Sequence, residues 1–195
     1  MRIGIAHHLG WAVAVTAADD HRVVDRRRIE LVEPGVATAP IHHEGKPLDD
    51  ATRERSCAAL GLSEDDLVDS AWIDNGPGWL GLLLGSAEEV LGLECPTTDL
   101  DIGVVGMHPP GSAAAYEVRA FFDQGGTTVE DPVTGSLHAS VARWMIDAGR
   151  VTPPYEASQG AALGRDGRVH IELDTDGRIW VGGSVRSTIS GTVEL

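Results

Sequence analysis

One long apolar helix pattern among many short strand patterns most constrains the fold of this chain. In residues 134–148 apolar side chains recur at helical spacing from Leu137 to Met145, and Gly149 follows as a stop signal. Gly and Pro punctuate the short runs that are typical of strands, at residues 70–73, 79–84, 100–106, 116–122, 168–173, 178–181 and 185–193. This pattern predicts an α+β fold in which a sheet curls around one helix.

The N-terminal region has a pattern of its own. Apolar residues are dense in residues 2–16 and again in 23–32, and a polar turn lies between them. Two such runs joined by a turn predict a β-hairpin. We therefore predict an N-terminal hairpin segment of unclear origin, residues 1–45, and a larger domain, residues 46–195.

Capping residues predict two shorter helices. Asp49 and Asp50 can cap a helix that runs to about Leu60, where Gly61 ends it. Ser86 and Glu89 have the spacing of a capping box, in which each side chain accepts a hydrogen bond from the other residue's backbone.

Composition excludes several classes of function. Lys and Arg number 15 against 30 Asp and Glu. Sequence-independent binding of nucleic acid is therefore not expected, because it depends on neutralising phosphates with basic side chains. No apolar run approaches the roughly 18 residues of a membrane span, and the N-terminus lacks the pattern of a signal peptide. The two cysteines, Cys57 and Cys95, indicate neither a disulfide framework nor a zinc knuckle, which favours a reducing cytoplasm.

Histidines and aspartates do not predict a metal site. The histidine pairs at 7–8 and 42–43 are adjacent in sequence, and neighbours in a strand point to opposite faces. Residues 174–177 form a turn with alternating aspartates but without the further ligands of a calcium loop. No metal is therefore expected.

The strongest functional signal is the segment at 130–139, which reads EDPVTGSLHA. Pro132 fixes the approach to a helix, Gly135 lets a ligand come close to the backbone, and Ser136 adds a hydroxyl beside free N–H groups. Those N–H groups carry the positive end of the helix dipole, so a carboxylate can dock there. Asp131 stands beside them, and its alternative role is a plain helix cap.

This segment resembles the C-terminal signature of the PhzF-like family of phenazine-biosynthesis proteins. The resemblance covers about residues 46–195 and implies a diaminopimelate epimerase-like lobe, with a mostly antiparallel, barrel-like sheet wrapped around the helix at about 134–148. It also implies a cofactor-independent acid/base isomerase or epimerase of a small amino-acid-like or dihydroanthranilate-like carboxylic acid. Other segments that look like family positions are 72–79, 86–91, 101–106, 117–121, 159–160, 164–165 and 180–183.

The resemblance assigns roles to individual residues. Asp131 matches the family's active-site aspartate, and Thr134, Gly135 and Ser136 lie at the helix start that contacts the substrate. The adjacent Glu130 and Asp131 could raise each other's pKa, although strand alternation usually points such neighbours to opposite sides.

Members of the family have two pseudo-symmetric lobes, and their active site lies between them. This sequence lacks the features of the first lobe. That lobe normally supplies a glutamate in a Ser-Glu-Thr context and a histidine in a Gly-His-Pro context, and neither motif occurs here. Glu64 and His108 lie in partly similar contexts, but we expect Glu64 to be non-catalytic and His108 to be a surface residue. The half of the active site that the first lobe supplies is therefore expected to be absent from this chain.

Two hypotheses follow. The chain is an isomerase that gains the other half of its site from another copy, which predicts a homodimer, or from an unrecognised base. The alternative is a non-catalytic carboxylate-binding or dimerising remnant of such an enzyme. Acid/base catalysis contributes roughly 10²–10⁴-fold, so the absence of the main acid is compatible with binding and negligible turnover.

Overall fold

A computed structural model describes three N-terminal strands and then an uninterrupted stretch; the described residues are 2–8, 11–17, 23–30 and 46–184. The chain forms two compact units, Met1–His42 and His43–Leu195. The strand predicted at 185–193 lies outside the described residues. No helix within the described ranges is long and apolar enough to span a bilayer.

The N-terminal unit contains a three-stranded antiparallel sheet rather than the predicted two-stranded hairpin. Its strands are β1 (Arg2–His8), β2 (Trp11–Ala17) and β3 (Val23–Glu30), in the order β1-β2-β3. The run predicted as the first arm is thus two strands that pair with each other. Apolar residues occur throughout residues 2–16, so the sequence pattern did not separate the two strands.

The larger unit is built on a nine-stranded sheet. The order is β12-β11-β10-β8-β7-β6-β5-β4, and β9 pairs with β8 beside this path. Neighbours are antiparallel except for the β6–β7 and β8–β10 pairs. The strands are β4 (Lys46–Pro47), β5 (Leu67–Trp72), β6 (Leu80–Leu84), β7 (Ile102–Met107), β8 (Tyr116–Asp123), β9 (Thr128–Asp131), β10 (Tyr155–Gln159), β11 (Gly167–Leu173) and β12 (Ile179–Gly182).

Three α-helices accompany this sheet: α1 (Asp50–Leu60), α2 (Ala87–Gly92) and α3 (Gly135–Asp147). The long predicted helix is thus present with nearly the expected bounds. The fold is therefore mixed α+β, with one large sheet and few helices.

The predicted caps of α1 are confirmed. The Asp49 side chain accepts a hydrogen bond from the Thr52 N–H at 3.0 Å, and Gly61 ends the helix in the left-handed conformation at φ 69°.

The capping box of α2 is only half as predicted. The Ser86 hydroxyl accepts from the Glu89 N–H at 3.2 Å. The Glu89 carboxylate, however, accepts from the N–H of Gly85 at 3.0 Å, one residue before the expected donor. The side chain therefore reaches past the cap into the preceding turn.

The central strands are buried on both faces. Along β6, Leu82 and Leu84 pack with Val90 of α2 on one face, whereas Leu83 packs with Val141 of α3 on the other. The side chains of a strand alternate between the two faces of the sheet. A strand that is covered by helices on both faces therefore has apolar residues at every position. The sheet is thus covered by α3 on one face and by α2 on the other.

A row of small residues lies where α3 packs on the sheet. A Cβ atom added to Gly103 would lie 2.5 Å from Leu137 Cδ1, and one added to Gly81 would lie 2.8 Å from Trp144 Cζ3. The helix therefore approaches the sheet more closely than larger side chains would allow. The row consists of directly paired residues on four neighbouring strands: Ala71, Gly81, Gly103 and Ala120.

Candidate active site

Asp131 and Thr134 lie where β9 leads into α3. Asp131 is the last residue of β9 and Thr134 is the N-cap of α3. The Thr134 hydroxyl donates a hydrogen bond to Asp131 Oδ2 at 2.7 Å. No helical N–H binds the Asp131 carboxylate among the described residues, which disfavours the plain helix cap. One carboxylate oxygen is held at the helix start, and Oδ1 has no hydrogen-bond partner within the described part of the chain.

The first turn of α3 presents unpaired backbone donors. The first intrahelical bond runs from His138 N to the Thr134 carbonyl at 3.0 Å, so the N–H groups of Gly135, Ser136 and Leu137 precede it. No described residue accepts a hydrogen bond from these three groups. Gly135 is exposed, and a Cβ there would meet nothing within 4 Å. The helix start is open to a small anion at this residue.

The loop between β5 and β6 braces the same turn. Trp79 Nε1 donates to Ser136 Oγ at 3.2 Å, and Asn75 Nδ2 donates to the Ser136 carbonyl at 2.9 Å. The Asp74 carboxylate accepts from two N–H groups of its own loop, each at 2.7 Å. Because Ser136 Oγ accepts from Trp79, its own proton remains available to donate to a ligand.

Gln159 joins the helix start to the end of β10. Its Nε2 donates to the Asp131 carbonyl at 2.7 Å and to the Thr134 hydroxyl at 3.1 Å. Its Oε1 accepts from the Thr134 N–H at 3.0 Å and lies 2.9 Å from Nε2 of His138. Gln159 and His138 are both fully buried. Gln159 is a family position to which the sequence assigned no role, because residue spacing does not reveal contacts across 21 or more residues.

His138 is neutral in this network. An amide oxygen only accepts, so the proton of His138 sits on Nε2, and Nδ1 is buried with no partner among the described residues. Burial lowers the pKa of His138 to about 4, which outweighs the opposite effect of the bond to Gln159.

A close backbone contact fixes the turn after Gln159. Gly160 has a φ of 92°, and a Cβ there would lie 2.6 Å from the carbonyl oxygen of Pro132. A side chain is therefore excluded both by conformation and by space. The segment that precedes α3 is held against the end of β10.

Glu130 points away from this site. It forms a two-bond ion pair with Arg119, with Nε–Oε1 at 2.9 Å and Nη2–Oε2 at 2.6 Å. The two side chains are 4% and 5% exposed. Arg119 also donates to the carbonyls of Val90 and Leu93, so the pair ties β9 to β8 and to the end of α2. The expected alternation is confirmed: Glu130 is structural, and Asp131 faces the helix start.

Comparison with known proteins identifies the family. The sequence model of the PhzC-PhzF family, phenazine biosynthesis-like protein, matches residues 12–192. The chain belongs to this PhzF family. The resemblance of individual motifs begins at about residue 46, but the family match begins earlier. It includes β3 and all of β2 except Trp11.

Individual relatives agree with this family. An uncharacterized isomerase of Pasteurella multocida is 29% identical over 141 residues, which are 65% of this chain and 45% of the relative. A phenazine biosynthesis protein of the PhzF family from Bacillus anthracis has a TM-score of 0.55 at 14% identity, covering 92% of this chain and 59% of that one. A predicted epimerase from Pseudomonas aeruginosa has a TM-score of 0.59 at 19% identity, covering 97% and 67%. This PhzF-family chain thus spans less than half of the curated relative, and the two structures support the fold.

The two residues in partly similar first-lobe contexts have different surroundings in this PhzF-family chain. Glu64 accepts a hydrogen bond from Arg53 Nε at 2.7 Å and is 47% exposed, which is a solvated ion pair. His108 is only 23% exposed, and its Nε2 lies 2.9 Å from Ser158 Oγ. The expectation of a simple surface histidine is therefore wrong. No group of three or more potential metal ligands occurs within the described ranges.

Proposed function

We propose that this chain forms the substrate-binding half of a cofactor-independent isomerase or epimerase. Its substrate is a small amino-acid-like or dihydroanthranilate-like carboxylic acid. The observation that carries the proposal is the open first turn of α3, with Asp131 held beside it by Thr134. The names of the family and of its relatives, which include an isomerase and an epimerase, favour this reaction class.

The substrate carboxylate binds at the start of α3. The N–H groups of Gly135 and Ser136 donate to it, and the Ser136 hydroxyl adds a further donor whose oxygen Trp79 already orients. Charge-assisted hydrogen bonds of this kind, aided by the helix dipole, fix the acid in one orientation.

Asp131 is the proton-transferring group in this proposal. With Oδ2 bound to Thr134, Oδ1 is the oxygen that takes a proton from the substrate carbon. Thr134 uses its N–H on Gln159 and its hydroxyl on Asp131, which favours a positioning role over direct substrate contact. Isomerisation also needs a second group that returns a proton to a different position. We propose that a second copy of the chain or another polypeptide supplies it, which makes a homodimer the expected assembly.

Solvent exchange tests the catalytic half of the proposal. Small amino acids and dihydroanthranilate-like acids are incubated with the full chain in D₂O, and NMR follows the exchange of carbon-bound protons. We expect exchange that Asp131→Asn abolishes. Asp147→Asn, at the other end of α3 and exposed, is the matched control and should leave exchange unchanged. Exchange that survives Asp131→Asn would exclude this role.

The alternative is a non-catalytic carboxylate-binding or dimerising remnant. It is favoured by the lack of the Ser-Glu-Thr and Gly-His-Pro motifs in this sequence. In that case the same acids should shift the amide resonances of Gly135 and Ser136 while no carbon-bound proton exchanges. Sedimentation velocity on the same samples tests the homodimer.

A further inference from the structure

A separate cavity of about 270 Å³ lies in the larger unit. It is formed by the loop after β7, by β8 and β10, and by the turn that follows β10. Asp131, Gly135 and Ser136 do not line it, but Gln159, which bonds Asp131 and Thr134, does, so the cavity adjoins the helix start and has other ligand-facing residues. Its lining includes a set of polar and charged residues: His108, Glu117, Ser158, Arg165, Asp166 and Arg168.

Glu117 is a buried carboxylate with one oxygen that has no hydrogen-bond partner among the described residues. Its side chain is 2% exposed, and Oε2 accepts a hydrogen bond from Ser158 Oγ at 2.5 Å. Nε2 of His108 lies 3.5 Å from the same Oε2. Oε1 is buried and has no hydrogen-bond partner among the described residues. Since an unpaired buried carboxylate oxygen is costly, Oε1 is suited to a donor that enters the cavity.

The arrangement is not that of a nucleophilic relay. In a Ser-His-carboxylate triad, the carboxylate binds the ring nitrogen opposite to the one that bonds the serine. Here both Ser158 and Glu117 lie at Nε2 of His108, at 2.9 and 3.5 Å. Ser158 Oγ donates to Oε2, so the hydrogen-bond partner of His108 Nε2 is the Ser158 oxygen, and Oε1 takes part in neither contact. The three residues therefore hold a carboxylate in place for binding.

Among the described residues that line the cavity, one charged side chain, that of Arg165, is not paired with another. Arg168 Nε pairs with Asp166 Oδ1 at 2.9 Å, so these two charges compensate each other. The guanidinium of Arg165 has no hydrogen bond or ion pair within the described part of the chain, and Arg165 is exposed. The cavity thus combines a buried negative group, Glu117, with a positive group at its rim.

We propose that this cavity binds a small zwitterion that carries both an ammonium and a carboxylate group, such as an α-amino acid. The ammonium donates to Oε1 of Glu117, and the carboxylate pairs with Arg165. At about 270 Å³ the cavity is smaller than the ~300–1,000 Å³ of sites for drug-sized ligands, which favours a small metabolite. This site is independent of the proposed function, whose ligand lies at Gly135 and Ser136.

Three matched probes test the requirement for both charges. L-alanine carries both groups, ethylamine carries only the ammonium, and propionate only the carboxylate. Each is titrated into the ¹⁵N-labelled full chain, and NMR follows the backbone amides. We expect L-alanine to shift His108, Ser158 and Arg165. It should bind about tenfold tighter than propionate, which lacks the bond to buried Glu117, and about two- to fivefold tighter than ethylamine, which lacks the exposed pair with Arg165.

Two variants test the assigned residues. Glu117→Gln keeps the shape and removes the charge, and Arg165→Gln changes an exposed rim residue whose loss does not threaten the fold. Glu117→Gln should weaken L-alanine binding about tenfold or more, and Arg165→Gln, at an exposed pair, about two- to fivefold. Arg143→Gln, a partly exposed arginine of α3 outside the cavity, should have no effect.

Several results would overturn the proposal. These are no shift at the cavity amides, binding of L-alanine no tighter than that of the single-charge probes, or binding unaffected by Arg165→Gln. If Glu117→Gln fails to fold, Arg165→Gln alone decides. Shifts confined to Gly135 and Ser136 would place the ligand at the helix start, which contradicts the cavity and supports the other site.

Discussion

His138 is the residue that links pH to the stability of the helix start. Its pKa is about 4 in the folded chain because it is buried, whereas an exposed histidine has the ordinary value of 6.5. Between pH 6.5 and about 4 the unfolded chain therefore binds a proton that the folded chain does not. Over this window the free energy of unfolding should fall with decreasing pH by up to about 1.4 kcal/mol per unit because of this group. Above pH 6.5 neither state binds this proton, so His138 no longer makes the free energy of unfolding depend on pH.

Urea denaturation at pH 7, 6, 5 and 4 checks this prediction. His138→Gln should flatten the pH dependence relative to the unmodified chain. His170→Gln, at an exposed histidine, is the matched control for the loss of an imidazole. Parallel curves for the unmodified chain and His138→Gln would contradict the prediction.

Gln159 is the residue that holds the candidate site together. Gln159→Leu keeps the approximate volume but leaves the Thr134 N–H and the Asp131 carbonyl without their buried partners. We expect a loss of roughly 2–4 kcal/mol in the free energy of unfolding and weaker binding of carboxylic acids at the start of α3. Gln124→Leu, in an exposed turn, is the matched control. Equal stability of the two variants in urea would show that the network contributes little.

Among the elements, α3 depends on the small residues beneath it. In Gly103→Ala the added methyl lies 2.5 Å from Leu137 Cδ1, and Leu137 is fully buried and cannot swing away. Overpacking of this kind should lower stability by about 1–3 kcal/mol, which thermal denaturation measures. Gly92→Ala, where a Cβ meets nothing within 4 Å, should not destabilise the chain. A Gly103→Ala variant as stable as the original would mean that α3 can move away from the sheet.

Elements with local signals could be predicted from the sequence. The helix α3 follows from apolar spacing, and α1 follows from Asp49 and Gly61. The strands β9 and β10 were missed because their sequences, TVED and YEASQ, are short and largely polar, with no apolar alternation. The parallel pairing of β10 with β8 has no local signal, since residues 41 positions apart, Ser158 and Glu117, lie side by side.

The candidate site shows the same limit. Asp131, Gly135 and Ser136 could be named because they lie within one short motif, although their catalytic and binding roles stay predictions. Gln159 and the cavity at Glu117 could not be found, since their contacts join segments that are distant in the sequence and come together only through the sheet order.

At the scale of the whole molecule, charge is unbalanced, with 30 acidic against 15 basic residues and a formal net charge of −15. Self-repulsion of this charge favours the expanded unfolded chain. Raising NaCl from about 10 mM to about 150 mM shortens the Debye length from roughly 30 to 8 Å and should therefore raise the melting temperature. Exposed ion pairs such as Arg53–Glu64 oppose this only slightly, because each contributes about 0–1 kcal/mol. Equal stabilisation by KCl would identify screening as the cause, whereas a melting temperature that falls with either salt would show that ion pairs outweigh the repulsion.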